Sequence, residues 1–359
     1  MPRIATVAIL QAYTQNPLLP LLLRECRSLP SAQNELRWLY ERALCIVRSM
    51  SKYQRNGASH RVYGWRTLLK SMCLARSRGV PLQYILGDQP FGDLDIKCTR
   101  GVLIPRHETE SITLYAAELI LGRFPGMQRG EKAPGLRIMD LCTGTGCIPL
   151  LLHTLLSPYF SQLSIVGIDI SATAVNLAQK NVERNIRLGK LSQRALTDIR
   201  FQRKNILEYD PNRPLVIEDI CDYTSRLSTV SNSQVDVLIS NPPYVSLEEY
   251  HDGTMSRSVR IFEPKLALVP PDNVTPLTME SGNSRPEDFF YHHIAALMCI
   301  LQVKLTVLEC GSRLQAVRVA MICKDIISGY NDLGKVYVNI WSDTGINTDP
   351  CAVIVQMGD

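Results

Sequence analysis

Between Pro17 and Gly79 the apolar positions recur every three or four residues: Leu18 and Leu22, then Leu36, Leu39, Ala43 and Val47, then Trp65, Leu68, Leu69 and Met72. That period lines each set along one face of a helix and predicts a small helical domain over residues 15–79. Pro30, Gly57 and a candidate cap at Ser31 punctuate it. After Gly79 and Pro81 the pattern shortens to alternation through Phe91, Leu94 and Ile96, which predicts a strand or hairpin inside a linker over 80–110. A helix is expected over 112–121, followed by a Gly- and Pro-rich break.

From Leu136 onward, strand-like and helix-like segments take turns. Strands are predicted over 136–141, 163–169, 199–203, 235–240, 303–309, 336–340 and 352–356, with helices over 148–156 and 172–185. Alternation of this kind builds an open α/β sheet with helices on its faces, so residues 111–359 are expected to form one such domain. The polar, proline-rich stretches 210–234 and 264–287 do not fit the pattern and are expected to be surface insertions.

Chemistry enters where predicted strands end. Cys142, Thr143, Gly144, Thr145 and Gly146 follow the first strand of the domain, and the glycines allow the backbone to approach a ligand that a side chain would block. Asp169 ends the second strand, where an acid can accept both hydroxyls of a ribose. Together they indicate a nucleoside-bearing cofactor. A dinucleotide fits less well, because the third glycine of that fingerprint is missing. Asn241, Pro242, Pro243 and Tyr244 follow the fourth strand. Prolines stiffen this loop, the Asn241 side-chain oxygen and the Pro242 carbonyl can accept both hydrogens of a planar NH2 group, and Tyr244 offers a ring face. Taken alone, the tetrapeptide suits either an amide or the exocyclic amine of a base.

The chain has 359 residues, 45% of them apolar and 20% charged, enough to bury a core. No apolar run is long enough to span a bilayer, so no membrane partner is expected. Eleven cysteines without a C-x-x-C pair fit a reducing compartment better than disulfides, and no metal site is expected. The net charge of +5 is uneven: residues 1–87 hold thirteen Lys and Arg against three acids. Such a face suits an acidic partner or RNA, or is simply a solvated helical surface. Residues 1–14 lack acids, as a mitochondrial targeting segment would.

The chain resembles the HemK/PrmC family of protein-(glutamine-N5) methyltransferases. The likeness runs through Pro81 to Gly87, Phe91 and Gly92, Val102 to Glu110, the glycine turn, Asp169, Asn241 to Tyr244, Phe262 to Pro264 with Ala267 and Leu268, and Leu308 to Gly311. It implies a Rossmann-like class I methyltransferase sheet preceded by a small helical domain that grips the substrate. It also implies methylation, from S-adenosyl-L-methionine, of the glutamine in the Gly-Gly-Gln motif of a class I peptide chain release factor. The opening basic region looks most like the fungal mitochondrial branch, so a mitochondrial release factor, a matrix location (the cytoplasm as alternative) and a monomer are expected, without stable nucleic-acid binding.

By the same resemblance Cys142, Thr143, Gly144, Thr145, Gly146, Asp169, Asn205 and Asn241 would contact the cofactor. Asn241 to Tyr244 would hold the glutamine, and Phe91 would close its pocket. Arg106, Glu108 and Glu110 would either order the methionine end of the cofactor or form structural salt bridges. Three positions depart from the family pattern: Cys142 replaces a glycine, Asn205 stands where an acid is common, and no arginine precedes the last strand. The competing readings are an adenine N6 methyltransferase and a catalytically silent module of the same fold.

Overall fold

A computed structural model of the protein describes residues 4–54, 64–124, 135–208, 235–271, 285–330, 333–343 and 351–358. The expected insertion at 210–234 lies outside the described residues. In chain order the helices are α1 (Thr6–Gln15), α2 (Leu19–Cys26), α3 (Leu29–Gln54), α4 (Trp65–Ser77), α5 (Leu82–Leu86), α6 (His107–Arg123), α7 (Cys147–Leu156), α8 (Ala172–Arg187), α9 (Ala195–Asp198), α10 (Leu247–His251), α11 (Arg257–Phe262), α12 (Phe289–Ile300) and α13 (Arg313–Ser328). The strands are β1 (Asp88–Phe91), β2 (Leu94–Lys97), β3 (Leu136–Leu141), β4 (Leu163–Asp169), β5 (Ile199–Arg203), β6 (Val237–Ser240), β7 (Leu305–Cys310), β8 (Val336–Ser342) and β9 (Cys351–Met357).

The chain divides into two compact units, one of residues 1–89, 98–100 and 256–262, the other of 90–97, 101–255 and 263–359. In the first, Ala12, Leu22, Leu39, Ala43, Leu69 and Cys73 close an apolar core. Arg76 holds Glu35 through Nε and Nη2 at 2.8 and 3.0 Å, a two-pronged pair that satisfies both half-buried charges. The unit begins upstream of the expected boundary at residue 15. Residues expected to act as a targeting segment form α1, whose Ala12 is fully buried and whose Ala8 and Ile9 pack on the same core. It also takes in α11, clipped by Ser258 Oγ donating to the Gly79 carbonyl at 2.7 Å. A contact across 179 positions leaves no periodic trace in the sequence.

The second unit is a seven-stranded sheet in the order β5-β4-β3-β6-β7-β9-β8, parallel except for β9, which runs antiparallel to both neighbours. Alternation of side chains sorts it into two cores. Met139, Leu141, Val166, Ile168, Leu238 and Leu308 face α12 and α13. Leu136, Ile138, Ile165, Val237, Ile239 and Val307 share the other core with α6 and α7. Each fully buried aliphatic side chain contributes about 1.5–3 kcal/mol, so this double packing is what the site rests on.

Helix α6 starts five residues earlier than expected, at His107, and places Glu108 and Glu110 in its first turn, where the helix dipole favours negative charge. The stretch near Phe91 is a hairpin of β1 and β2, turning at Gly92 (φ 55°), where an added Cβ would meet Leu151 Cδ1 at 2.8 Å. The stretch expected as an insertion at 264–287 is corrected in its described part. Leu268 and Val269 are buried, and the Leu268 carbonyl accepts from Val245 N at 2.8 Å.

Two fully buried asparagines of α8 dock the hairpin. Asn181 Oδ1 accepts from Lys97 N at 2.8 Å while its Nδ2 donates to the Thr145 carbonyl at 2.9 Å, and Asn185 does the same for Asp95 N and O at 2.9 and 3.1 Å. They substitute for a neighbouring strand. Asn181→Leu, which leaves a buried amide and carbonyl unpaired, is expected to destabilise the fold by about 2–4 kcal/mol. Urea unfolding checks this, and a loss under about 0.5 kcal/mol would contradict the role given to Asn181.

Candidate active site

Parallel pairing aligns the ends of four strands. Leu141 stands opposite Ile168 and Ser240, and Ser240 opposite Leu308, so the loops that follow β3, β4, β6 and β7 leave the sheet together. β3 is flanked by β4 on one side and β6 on the other, and at such a reversal of winding the carboxyl ends of an open sheet leave a crevice. A cavity of about 250 Å³ opens there. Cys142, Thr143, Gly144, Thr145, Asp169, Asn205, Asn241 and Pro243 line it, so most of the residues singled out from the sequence converge.

The glycine turn is built on left-handed backbone. Gly144 and Gly146 have φ of 54° and 77°. A Cβ on Gly146 would meet Ala178 Cβ and Phe201 Cζ at 2.9 Å, so this glycine is required for packing and does not line the cavity. A Cβ on Gly144 would find nothing closer than the Cys142 carbonyl at 4.0 Å, which leaves the space a ligand needs. Asp169 ties the turn to β4, since its Oδ2 accepts from Gly144 N at 2.9 Å and its Oδ1 from Ser171 N at 2.8 Å. Burial raises its pKa, and these two amides oppose the shift. The free amides at the start of α7 and the acid opposite them fit a nucleoside-bearing cofactor. Asn205, by contrast, is committed locally: its Oδ1 accepts from Leu207 N at 3.1 Å and its Nδ2 donates to Glu208 Oε1 at 3.2 Å.

Asn241 projects from the end of β6. Its Nδ2 donates to Thr109 Oγ1 at 3.0 Å, and Thr109 Oγ1 donates to Glu309 Oε1 at 3.0 Å. The rest of the loop is held from behind. Gln315 Nε2 donates to the Tyr244 carbonyl at 3.1 Å and to Asp288 Oδ1 at 3.0 Å, and its Oε1 accepts from Gly311 N at 2.9 Å. A Cβ on Gly311 would strike the Tyr244 ring at 2.8 Å, so the glycine makes room for the ring. Pro242 and Tyr244 are not among the residues lining the cavity.

One expectation is corrected. Phe91 does not close the pocket: it is buried with Leu94, Ile96 and Leu151 in the core beneath the hairpin, because β1 turns it inward. Of Arg106, Glu108 and Glu110, only Arg106 lines the cavity. It also pairs with buried Glu263, whose Oε1 accepts from Arg106 Nη2 at 2.8 Å and whose Oε2 accepts from Ile104 N at 3.1 Å. Sequence reasoning gave no role to Thr109, Glu263, Glu309 or Gln315. The first three lie in stretches read as family motifs, and that was the available signal.

No protein-family model matches the chain. Individual relatives do. It is 36% identical over 270 residues to the mitochondrial MRF1 N(5)-glutamine methyltransferase MTQ1 of Saccharomyces cerevisiae, covering 75% of this chain and 68% of that one. It is 33% identical over 325 residues to the probable MRF1 mitochondrial N(5)-glutamine methyltransferase mtq1 of Schizosaccharomyces pombe, covering 88% and 87%. The chain belongs to the N(5)-glutamine methyltransferase family. A bacterial member, the release factor glutamine methyltransferase of Haemophilus influenzae, is 31% identical over 211 residues, 58% of this chain and 59% of that one. Among solved structures, the N-terminal domain of human METTL16 covers 80% of the chain and is 83% covered itself, with 18% identity and a TM-score of 0.45, too slight a likeness to bear on function.

Where the family pattern has glycine, Cys142 adopts φ 62°, a left-handed conformation that costs a side-chain-bearing residue about 1–2 kcal/mol. Cys142→Gly is therefore expected to raise unfolding stability by up to about 1 kcal/mol, the relief exceeding the entropy glycine adds to the unfolded chain. A shift of the urea midpoint at constant slope measures it, and a lower midpoint would show that the thiol's packing outweighs the strain.

Burial, with lesser help from neighbouring acids, pushes both Asp140 and Glu309 up to about 8 from ordinary values of 3.8 and 4.5. Among the described residues neither oxygen of Asp140 has a partner in good hydrogen-bond geometry, and the nearby Thr143 hydroxyl offsets the burial only in part. The folded protein thus holds protons that the unfolded chain releases above about pH 4, and stability must fall as pH rises from there through about 8. Ligand-free protein should unfold at lower urea at pH 8.5 than at pH 6, conditions spanning those shifts. The Asp140→Asn, Glu309→Gln double variant should flatten the profile.

Proposed function

We propose that the protein transfers the methyl group of S-adenosyl-L-methionine to the side-chain nitrogen of the glutamine in the Gly-Gly-Gln motif of a mitochondrial class I peptide chain release factor. The observation that carries this reading is one cavity bringing Asn241 and Pro243 alongside Gly144 and Asp169. Support comes also from the fungal relatives, both named as mitochondrial glutamine methyltransferases of MRF1, and from the bacterial one, named for release factors. These names favour glutamine over adenine. The protein would act as a monomer in the matrix.

The bound cofactor supplies an electrophilic methyl group on a positively charged sulfur. Everything else falls to the chain's own residues. Gly144 leaves the space the cofactor needs, the start of α7 offers backbone amides to its polar end, and Asp169 accepts its ribose hydroxyls. An amide nitrogen is a poor nucleophile because its lone pair is delocalised into the carbonyl. Asn241 Oδ1 and the Pro242 carbonyl accept its two hydrogens, favour its pyramidal form and aim the lone pair at the methyl carbon. Positive charge then develops on a nitrogen whose hydrogens already point at oxygen, and one of those hydrogens leaves as a proton to solvent to give the neutral N-methyl amide. Burial and nearby Glu309 push the Tyr244 hydroxyl well above its ordinary pKa, so Tyr244 stays neutral and serves packing instead of proton transfer.

Asn241→Ala should lower kcat by about 100- to 1,000-fold with less than a threefold change in cofactor affinity, the pattern of a group acting on the transition state. Labelled methyl transfer to a mitochondrial release factor, with and without replacement of its acceptor glutamine by alanine, tests the substrate. Equal labelling of both would refute the reading.

A further inference from the structure

An Asn side chain has two faces that look alike in shape and are opposite in hydrogen-bonding sense. If the acceptor NH2 is to be gripped, Asn241 must present Oδ1 to it and not Nδ2. Nothing in the tetrapeptide itself decides this, since prolines on one side of Asn241 and a strand end on the other supply no donor to its oxygen or acceptor to its amide. The side chain that touches Asn241 is Thr109, and the side chain that touches Thr109 is Glu309.

We propose that Thr109 and Glu309 are positioning residues that set the hydrogen-bond polarity of Asn241, and so make the site select a carboxamide over a carboxylate acceptor. The proposal rests on the glutamine reading above. An ionised Glu309 can only accept, so the single proton of Thr109 Oγ1 is committed to Glu309 Oε1 at 3.0 Å. The Thr109 oxygen then has only lone pairs left for Asn241, which must turn Nδ2 toward it, at 3.0 Å. Oδ1 is left for the cavity that Asn241 lines. The orientation follows from the order of donors and acceptors, whatever the amide would prefer alone.

The relay is placed to hold. Thr109 and Glu309 are both buried, at 3% exposure, where a reversed or missing hydrogen bond is costly. Thr109 sits in the first turn of α6, and Thr113 Oγ1 donates to its carbonyl at 2.7 Å. Glu309 sits at the end of β7, its own carbonyl taken by the Tyr291 hydroxyl at 2.6 Å. Neither side chain has another described route to the acceptor.

Ionisation of Glu309 is part of the device, because the neutral acid, which burial favours up to about pH 8, could donate to Thr109 and reverse the order; the polarity is therefore set as pH rises through about 8, and the acceptors are compared at pH 8.5. The groups that face it are Thr109 and Glu108 of α6, Arg106 just before α6, Tyr244 of the loop after β6, Asp140 of β3, Cys147 of α7, Tyr291 of α12 and the adjoining Cys310 of β7. Arg106 favours the charged form, while burial and Glu108 oppose it.

The test uses the full-length protein with cofactor and two forms of the release factor, one with the acceptor glutamine and one with glutamate in its place. Wild type should bind the glutamine form at least tenfold more tightly, since an oxygen facing an oxygen forfeits a buried hydrogen bond. Thr109→Val, which keeps the shape and removes the hydroxyl, should cut that preference about tenfold and lower kcat by a similar factor, with cofactor affinity near wild type and a melting temperature lowered by the two hydrogen bonds it removes. Thr109→Ser should restore both. Glu309→Gln, able to donate or accept, should lose the preference and also the rise of kcat with pH that ionisation of Glu309 gives wild type.

Thr109→Val with an unchanged preference and kcat overturns the proposal. If it fails to fold, the comparison of Thr109→Ser with Glu309→Gln decides: normal preference in both overturns it, and loss in Glu309→Gln alone supports it. Absence of any methylation of the glutamine form by wild type would refute the underlying reading of the substrate, a result distinct from either.

Discussion

Register across the parallel sheet is the constraint on which the rest depends. Leu141, Ile168, Ser240 and Leu308 stand level, and Ser240 Oγ donates to the Leu141 carbonyl at 2.9 Å, fastening the end of β6 to β3. Because side chains alternate, a slip of one residue in any strand would exchange its two apolar faces between cores built for different partners. The same slip would move Asp169 or Asn241 by one strand step, about 3.3 Å, away from the turn or the relay each one serves. Packing on both faces therefore fixes the geometry of the cavity, which Ile168 and Phe290 of one core and Cys147 and Ile148 of the other also line.

The price of that cavity is buried acid. Asp140, Asp169 and Glu309 cluster at the strand ends, and each has its pKa raised chiefly by burial. Their relief is unequal: Asp169 receives two backbone amides, Glu309 one hydroxyl, and Asp140 no hydrogen bond in good geometry among the described residues. In the helical unit the buried charges of Arg76 and Glu35 satisfy each other instead. The contrast separates a unit whose charges satisfy each other from one whose buried acids are held toward their protonated forms.

The parts legible in the sequence were those whose role is local. Strands β4 and β5 were bounded correctly because the first is a largely apolar run, the second alternates and both end at charged residues, and the glycine turn and proline loop announce themselves by backbone chemistry. Helix α12 was not read because Phe289–Ile300 is apolar nearly all round and shows no amphipathic period. Phe91 was misplaced because its inward turn depends on the Gly92 hairpin. Thr109, Asn241 and Glu309 meet across 132 and 200 positions, so their relay existed only once the fold was built.

Asp169 illustrates why one residue can serve both fold and ligand. A carboxylate has about four lone-pair sites, and the amides of Gly144 and Ser171 use one on each oxygen. One acceptor site per oxygen remains, which matches the two hydroxyls of a ribose. An asparagine there would lose that symmetry, since its NH2 cannot accept from an amide. Asn205, whose oxygen and nitrogen are both turned back on the Ile206–Glu208 turn, shows the alternative: it shapes the wall of the cavity without offering it an acceptor of comparable strength. Under the proposed function, recognition of the nucleoside would thus fall more heavily on Asp169, the residue that also ties down the turn.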